Sequence, residues 1–273
     1  MEADFGAESV LERLGSPLHY WLLGSRDDLP LVVFVHGAGI DHRVWARQMD
    51  AFSAGYRVLT MDLRGHGQSR PAGEYSFARL VDDSLALLDA VSAKRVVVIG
   101  ISMGGNVAQE MVFRCPDRFA ALVCADCTCN TLVPWLDRAT LPIYQALIGP
   151  AIRAYPRQQL LKEIAKRTSL TPEGRRYVFD ASSQMTSKET VRVMKTLLAA
   201  LHHEPGYEVM IPELLVHGSD DNLGNIRRVM AAWRARDPRS ELAIIPNAGH
   251  TSNMDNPEVF NRRVLDWLSR AAP

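Results

Sequence analysis

Along this chain, unbroken runs of apolar residues alternate with segments in which apolar residues recur at helical spacing. Short apolar runs rich in β-branched residues predict strands that are buried on both faces of a parallel sheet. These runs lie at residues 31–36, 57–61, 96–99, 120–125, 212–216 and 242–246. Segments with helical spacing separate them, at about 44–52, 76–91, 103–113 and 225–236. Strands that alternate with helices in this way predict an α/β fold, with a mostly parallel sheet and helices on both faces.

The two ends of the chain carry their own signals. Residues 8–23 predict one or two antiparallel edge strands ahead of the first parallel strand. Near the carboxyl terminus, Asn256, Pro257 and Glu258 predict the start of a helix. Asparagine caps a helix, proline suits its first position, and an acidic residue suits its first turn.

The segment from about residue 130 to residue 208 breaks the alternation, because it contains helical patterns and no convincing strand. Thr171 before Pro172 predicts one helix start, and Thr186 with Glu189 forms a capping-box pattern at another. An all-helical insertion between two strands predicts a cap over the carboxyl ends of the strands, where open parallel sheets bind ligands. We therefore predict one α/β domain over residues 1–273, with a helical cap inserted at about 130–208.

Composition adds limits on the partners. The chain has 273 residues, of which 47% are hydrophobic and 23% charged, as in an ordinary soluble globular protein. Lys and Arg number 31, as do Asp and Glu, so the net charge gives no electrostatic argument for binding nucleic acid or an anionic membrane. The first residues show no signal-peptide pattern, and no apolar run approaches the roughly 18 residues of a membrane span. We expect a cytoplasmic protein with a small-molecule substrate.

Three of the four cysteines, Cys124, Cys127 and Cys129, lie close together in the sequence. On a strand, positions 124 and 127 would point to opposite faces, so one metal ion could not easily join them. No second cysteine pair and no histidine with zinc-finger spacing accompanies them. We predict buried thiols and no metal site.

The strongest chemical signal is the stretch Gly100-Ile101-Ser102-Met103-Gly104, which follows an apolar run and precedes a helical segment. This context fits the G-x-S-x-G elbow, in which a strand breaks into a helix and presents a serine on the tight turn between them. The glycines allow the strand and the helix to close up around a strained serine. We predict that Ser102 is a nucleophile.

A serine hydroxyl needs a base within hydrogen-bond reach, and the base needs an orienting acid. On folds with this elbow, the acid and then the histidine follow the serine in the chain. Four histidines follow Ser102, and only His250 comes after a credible acid at the end of a late strand. We predict His250 as the base and favour Asp221 as the acid, with Asp126 and then Asp220 as alternatives.

The oxyanion of acyl transfer requires preorganised donors. We predict the amide of Met103, the residue after the nucleophile, as one donor. The amide of Ala38, in the loop after the run at 31–36, is the predicted second donor. The string at 62–69, D-L-R-G-H-G-Q-S, also carries polar residues, but it precedes Ser102 and is rich in turn residues. We interpret it as a hydrogen-bonded structural loop.

Five strings in this order resemble the α/β-hydrolase superfamily: H-G-A-G at 36–39, D-L-R-G-H-G-Q-S at 62–69, G-I-S-M-G-G at 100–105, H-G-S-D-D at 217–221 and A-G-H at 248–250. Within it, S-M-G-G-N-V-A-Q and L-V-C-A-D resemble bacterial serine esterases and 3-oxoadipate enol-lactonases. The resemblance implies an α/β-hydrolase fold and cofactor-free hydrolysis of a small carboxylic ester or lactone through an acyl-enzyme on Ser102. Cofactor-free perhydrolase and carbon–carbon bond hydrolase activities use the same three side chains and stay as alternatives.

The sequence leaves open which arginine would bind a substrate carboxylate and whether the protein is an enzyme or a receptor. An enol-lactone of this kind carries a carboxylate, and Arg43, Arg138 and Arg153 are equal candidates to receive it. The stretch from Gly39 to Trp45 is similar to the G-x-D-x-x-V-W stretch of α/β-hydrolase-fold signalling proteins. That similarity implies a ligand receptor with little turnover as the alternative from another functional class. The sequence makes no prediction of the oligomeric state.

Overall fold

The described residues form one eight-stranded sheet in the computed structural model, which describes residues 3–26, 28–133, 135–204 and 206–272, without the side chains of 135–138. The strands are β1 Ala7–Arg13, β2 Ser16–Leu23, β3 Leu31–Val35, β4 Arg57–Met61, β5 Val96–Ile101, β6 Phe119–Ala125, β7 Glu213–Gly218 and β8 Glu241–Ile245. Their order is β1-β2-β4-β3-β5-β6-β7-β8. The pairs β1–β2 and β2–β4 are antiparallel and the others parallel, which confirms the predicted sheet with antiparallel strands at one edge.

The helices follow the predicted alternation with the strands. They are α1 Met49–Ser53, α2 Phe77–Ala90, α3 Met103–Arg114, α4 Trp135–Ala154, α5 Arg157–Thr168, α6 Pro172–Ser183, α7 Ser187–Leu198, α8 Ile226–Arg236, α9 Ser252–Asp255 and α10 Pro257–Ala271. The helix expected over 44–52 is instead a 3₁₀ helix, His42–Trp45, followed by the short α1. Successive bonds to the third residue back, including Ala46 N–H to Arg43 and Gln48 N–H to Trp45, tighten this segment.

Both faces of the sheet are covered, which explains the unbroken apolar runs in the strands. Val33 and Val35 of β3 pack into one cluster with residues of α2, α3 and α8. Val32 and Phe34 of the same strand pack into a second cluster, with residues of α1 and α10. Alternate side chains of one strand therefore contribute to two cores.

Helices α4 to α7, which we call the cap helices, lie between β6 and β7 in the chain, as the sequence predicts. Their starts carry the expected caps, because Thr171 accepts from the amide of Gly174 and Thr186 forms a complete capping box with Glu189. Among the described residues, none of the helices combines the length and the apolar character needed to cross a bilayer.

The three clustered cysteines, Cys124, Cys127 and Cys129, are buried as predicted, but the expected geometry of two of them is wrong. Cys124 and Cys127 pack in the same hydrophobic cluster. The alternation of faces stops because β6 ends at Ala125 and Asp126 has a φ of 46°. Burial raises the pKa of the Cys124 thiol, with the Cys127 thiol adding to the effect.

Candidate active site

Ser102 lies on the turn between β5 and α3, in a left-handed backbone conformation with a φ of 53°. Its amide donates to the carbonyl of Ala125 at 2.9 Å, and its carbonyl accepts from the amides of Gly105 and Asn106 as the helix begins. A serine at this position normally caps the helix with its hydroxyl, but Ser102 makes no side-chain cap. The hydroxyl instead lies 2.9 Å from Nε2 of His250.

The two glycines of the elbow bring the strand and the helix together. A Cβ atom on Gly100 would overlap the carbonyl oxygen of Gly104, and one on Gly104 would overlap the carbonyl oxygen of Val35. Both obstacles are backbone atoms that cannot turn aside. The close approach of β3, β5 and α3 around Ser102 therefore requires glycine at both positions.

His250 follows β8, and the buried Asp221 follows β7, so both reach the carboxyl edge where β5 ends. Nδ1–H of His250 donates to Oδ2 of Asp221 at 2.9 Å, which leaves Nε2 to accept the Ser102 hydroxyl proton. The other oxygen of Asp221 accepts from the amide of Leu223 at 2.9 Å. These bonds join serine, histidine and aspartate in one chain. Such a chain can remove a proton from a hydroxyl and hold the resulting imidazolium.

The electrostatic surroundings of His250 favour its protonated form. Burial by itself lowers the pKa of this imidazole, but the hydrogen bond and the charge of Asp221, with a further contribution from Asp126, outweigh it. The pKa of His250 is therefore raised above its ordinary value of 6.5. A base with a raised pKa accepts a proton more readily, at the cost of being charged over more of the acidic range.

The two alternative acids occupy other positions. Asp126 accepts from the amide of Gly218 at 2.9 Å and from the amide and hydroxyl of Ser252, so it ties the Asp221 loop to the residues after His250. Burial raises the pKa of Asp126 to about 7. Asp220 accepts from the hydroxyl of Ser219 at 2.6 Å. Neither carboxylate is hydrogen-bonded to His250.

The other histidines that follow Ser102 lie apart from the hydrogen-bonded chain. His217 donates through Nδ1 to the carbonyl of Gly218 at 2.8 Å. His202 lies 3.4 Å from a carboxylate oxygen of Glu110 and next to the ring of Phe113.

One of the amides proposed as oxyanion donors follows the serine in the chain, and the other belongs to the loop after β3. Met103 is the first residue of α3, where backbone amides have no partner within the helix. Ala38 belongs to the loop after β3 and lines the same cavity as Ser102. Within the described residues, the Ala38 amide has no backbone acceptor. A Cβ atom on neighbouring Gly37 would lie 3.1 Å from the Cβ of Ser102, so this loop runs directly beside the serine.

A cavity of about 470 Å³ opens over Ser102 and His250. The loops after β3, β5, β6 and β7 form its floor, and the cap helices form much of its wall. Wall residues from the cap include Ile148, Ile152, Leu161, Ile164, Val178 and Leu197. A cavity of this size suits a small molecule.

The loop at 62–69 has the structural role that the sequence predicts. Arg64 is fully buried and pairs with Asp83 at 2.6 Å, while Asp62 accepts from the amides of His42 and Gln68. Side-chain atoms of Asp41, His42 and Asp62 that could bind a metal ion lie within 4.8 Å of one another. The described side chains already use these atoms, because His42 donates to Asp62 at 2.8 Å and Arg43 donates to Asp41.

Sequence reasoning missed the contacts between the cap and the loop after β3. On α6, the hydroxyl of Ser182 donates to the carbonyl of Gly39 at 3.1 Å. The hydroxyl of Tyr177 donates to the carbonyl of Asp41 at 3.0 Å and accepts from its amide at 3.2 Å. The partners lie 136 and 143 positions apart in the chain, so no local pattern could indicate them.

Comparison with known proteins identifies a family for this chain. The model of the alpha/beta hydrolase family matches residues 32–263. The 3-oxoadipate enol-lactonase 1 of Acinetobacter baylyi is 27% identical over 253 residues, which cover 92% of this chain and 92% of that protein.

Solved structures show the same fold. An esterase from Thermogutta terrifontis gives a TM-score of 0.82 at 21% identity, over 98% of this chain and 100% of its own. The enol-lactonase from Burkholderia xenovorans LB400 also gives 0.82, at 23% identity, over 96% of this chain and 100% of its own.

Proposed function

The chain belongs to the alpha/beta hydrolase family, and from this membership we propose that it hydrolyses a small carboxylic ester or lactone through an acyl-enzyme on Ser102. The observation that carries the proposal is the hydrogen-bonded chain from Ser102 through His250 to Asp221, with 2.9 Å at both links. A serine in such a chain is an activated nucleophile. The chain also opens onto a cavity large enough for a small molecule.

The reaction takes place in two halves that exchange one proton with His250. Ser102 Oγ attacks the carbonyl carbon while its proton moves to Nε2 of His250. The tetrahedral intermediate then breaks the bond to the leaving oxygen, which takes the proton from His250 and departs as an alcohol, or stays attached if the substrate is a lactone. Water attacks the acyl-enzyme, gives a proton to His250 and releases the carboxylic acid, while the proton returns to Ser102.

Asp221 and the two amides have supporting roles in this scheme. Asp221 fixes the tautomer of His250 and stabilises the imidazolium that forms in both halves. The amides of Ala38 and Met103 donate to the oxyanion of each tetrahedral intermediate, and the amino-terminal end of α3 adds its dipole. The scheme requires no cofactor and no metal.

The cap belongs to the same unit in this proposal. The chain forms one α/β-hydrolase domain with an insertion at about 130–208, and this is supported by the cavity that the cap helices share with the sheet loops. We favour an ester or lactone over a perhydrolase or carbon–carbon substrate, because two 3-oxoadipate enol-lactonases are 27% identical to this chain over at least 92% of its length. Relatives named as non-heme bromoperoxidases, at 25% identity, keep the perhydrolase as the second candidate.

The receptor alternative rests on the stretch from Gly39 to Trp45, and structural roles account for that stretch. Asp41 caps the 3₁₀ helix by accepting from the amide of Arg43, and Val44 and Trp45 are fully buried. Repeated turnover of an ester favours the enzyme, whereas a single turnover favours a receptor.

The proposal is tested by Ser102→Ala and by mass spectrometry of the acyl-enzyme. We expect Ser102→Ala to lower kcat for p-nitrophenyl butyrate by at least about 1,000-fold with an unchanged circular dichroism spectrum, because the members of such a chain act as a unit. The intact protein quenched during turnover should carry one butyryl group, absent from Ser102→Ala. Ser269→Ala, at an exposed hydroxyl on α10, is the control. Wild-type turnover by Ser102→Ala would show that the mechanism is wrong.

A further inference from the structure

The cavity wall offers few groups that could stabilise a charge. Aliphatic and thioether side chains of the cap helices face the space over Ser102, and Leu223 and Ile226 continue this surface beside β7. A carboxylate that leaves water needs hydrogen-bond donors or a cation, and without them its burial is strongly unfavourable.

Besides Ser102, five described hydroxyl groups line the cavity, and four of them do not supply such donors. These four give their proton to a main-chain carbonyl, so that each presents only lone pairs or methyl groups to the cavity. The donor and acceptor pairs are Thr168 and Ile164 (2.7 Å), Ser182 and Gly39 (3.1 Å), Thr190 and Thr186 (3.0 Å), and Thr251 and Thr168 (3.3 Å). The fifth, Thr128, accepts from the side-chain amide of Asn106 at 3.2 Å and is a single neutral hydroxyl, which cannot replace a cation.

The described part of this wall also includes no lysine or arginine. Arg157 on α5 reaches three wall residues, but it donates to the carbonyl oxygens of Ser182, at 3.1 Å, and of Met185, and to the hydroxyl of Thr190, at 3.4 Å. Its donors therefore hold the cap helices together.

The three arginines that the sequence suggests as carboxylate receptors differ in their position relative to the cavity. Arg43 pairs with Asp41 at 2.6 Å and does not line the cavity. Arg153 lies on the exposed side of α4. The side chain of Arg138 lies outside the described residues, so the experiment below includes it.

The buried carboxyl group of Asp126 on the cavity floor has the wrong sign for an anionic substrate. Asp126 lines the floor of the cavity and is fully buried. At alkaline pH its carboxylate would repel a second one held in the same cavity.

We infer that the substrate is an uncharged ester or lactone with an apolar acyl chain, and that the cavity excludes acyl chains that end in a carboxylate. This inference rests on the proposed ester hydrolysis and narrows its substrate class. It separates this chain from enzymes that act on carboxylate-bearing lactones. The cap helices of this chain select against charge as well as for shape.

Three p-nitrophenyl esters with a six-carbon acyl chain test the inference on the wild-type protein. They are the hexanoate, the monoester of adipic acid, which ends in a carboxylate, and the mixed methyl diester of adipic acid, which has similar length and no charge. We expect kcat/KM at pH 8 to be at least about 100-fold lower for the monoester than for the hexanoate, and the methyl diester to lie within about tenfold of the hexanoate.

The outcomes separate the two proposals. Hydrolysis of the monoester within about tenfold of the hexanoate would overturn the inference and leave ester hydrolysis intact. If that activity disappeared in Arg138→Ala, Arg138 would be the receptor and the inference would again be wrong. Equal loss with the monoester and the methyl diester would show that size, rather than charge, is selected, which also overturns it. No turnover of any of the three esters would overturn the proposed function and the inference together.

A designed variant provides the converse test. Leu160 is a half-buried wall residue on α5, so a longer side chain there can reach both the cavity and solvent. We expect Leu160→Arg to raise kcat/KM for the monoester at least about tenfold relative to Leu160→Gln, which adds polarity without charge. Equal monoester activity in two folded variants would contradict the charge argument, and the wild-type comparison decides the question if the arginine variant does not fold.

Discussion

The loops at the carboxyl edge of the sheet and the cap helices above them contribute to the same cavity in different ways. In the loops, polar atoms are bound to one another over short distances, as in the chain from Asp221 to Ser102. In the cap, the surface is mostly aliphatic, and its hydroxyl groups are turned to main-chain carbonyls. On the function that we propose, this difference would place the reaction in the sheet loops and the choice of substrate in the cap.

The largest expected effect tests whether the reaction depends on one particular carboxylate of the loops. Asp221→Asn should lower kcat by about 10³ to 10⁴-fold, because the amide cannot stabilise the imidazolium form of His250. Asp126→Asn should lower kcat by less than about tenfold, since its carbonyl oxygen can still accept from the amide of Gly218. Steady-state kinetics of both variants, with circular dichroism as the folding control, measures the contrast. The reverse ranking would move the acid to Asp126.

The pH profile of the same variants gives a second measure. Only the neutral form of His250 accepts the serine proton, so kcat/KM should rise with pH through the pKa of His250, which is raised above 6.5. Both carboxylates contribute to that increase, and Asp221 contributes more. The acidic limb should therefore shift to lower pH in Asp221→Asn, and by less in Asp126→Asn. A flat wild-type profile between pH 5 and 8 would contradict a histidine base.

The sequence predicts the sheet loops better than the cap, for physical reasons. The elbow at Ser102 depends on neighbouring residues and on steric limits that glycine alone satisfies, so a short pattern identifies it. The chain order then selects His250 and Asp221, and the structure brings these side chains together. Contacts such as those of Asp126 with the amide and the hydroxyl of Ser252 join residues 126 positions apart, and no periodicity marks them.

Apolar spacing in the cap predicts helices but not their cavity faces. A stripe of leucines and valines predicts packing whether it meets a core or a substrate. The two cysteines illustrate the same limit, because one left-handed residue at Asp126 changes the face of Cys127. Tertiary contacts decide these orientations, so the substrate class becomes visible only in the structure.

A prediction of intermediate size tests whether the cap controls only the choice of substrate and takes no part in the reaction. Leu161 is almost fully buried on α5 and lines the cavity. Leu161→Ala should shift the preference among p-nitrophenyl esters toward longer acyl chains by about tenfold in kcat/KM, with kcat for the acetate nearly unchanged. The control is Leu170→Ala, at an exposed leucine between α5 and α6 that does not line the cavity. Equal losses of kcat for every ester would mean that the cap also takes part in the reaction.

The smallest expected effect lies where the two regions touch. Ser182 on α6 donates to the carbonyl of Gly39, next to the Ala38 amide that we propose as an oxyanion donor. Ser182→Ala removes a hydrogen bond worth about 0.5–1.5 kcal/mol, so kcat should fall about three- to tenfold, while KM for short esters stays nearly constant. The matched control is Ser183→Ala, because the exposed Ser183 hydroxyl donates within α6, to the carbonyl of Asp180. A loss confined to Ser182→Ala means that a cap helix positions part of the reaction machinery, and the division between the two regions is then incomplete. Equal rates in both variants would mean that the sheet holds this loop without help from the cap.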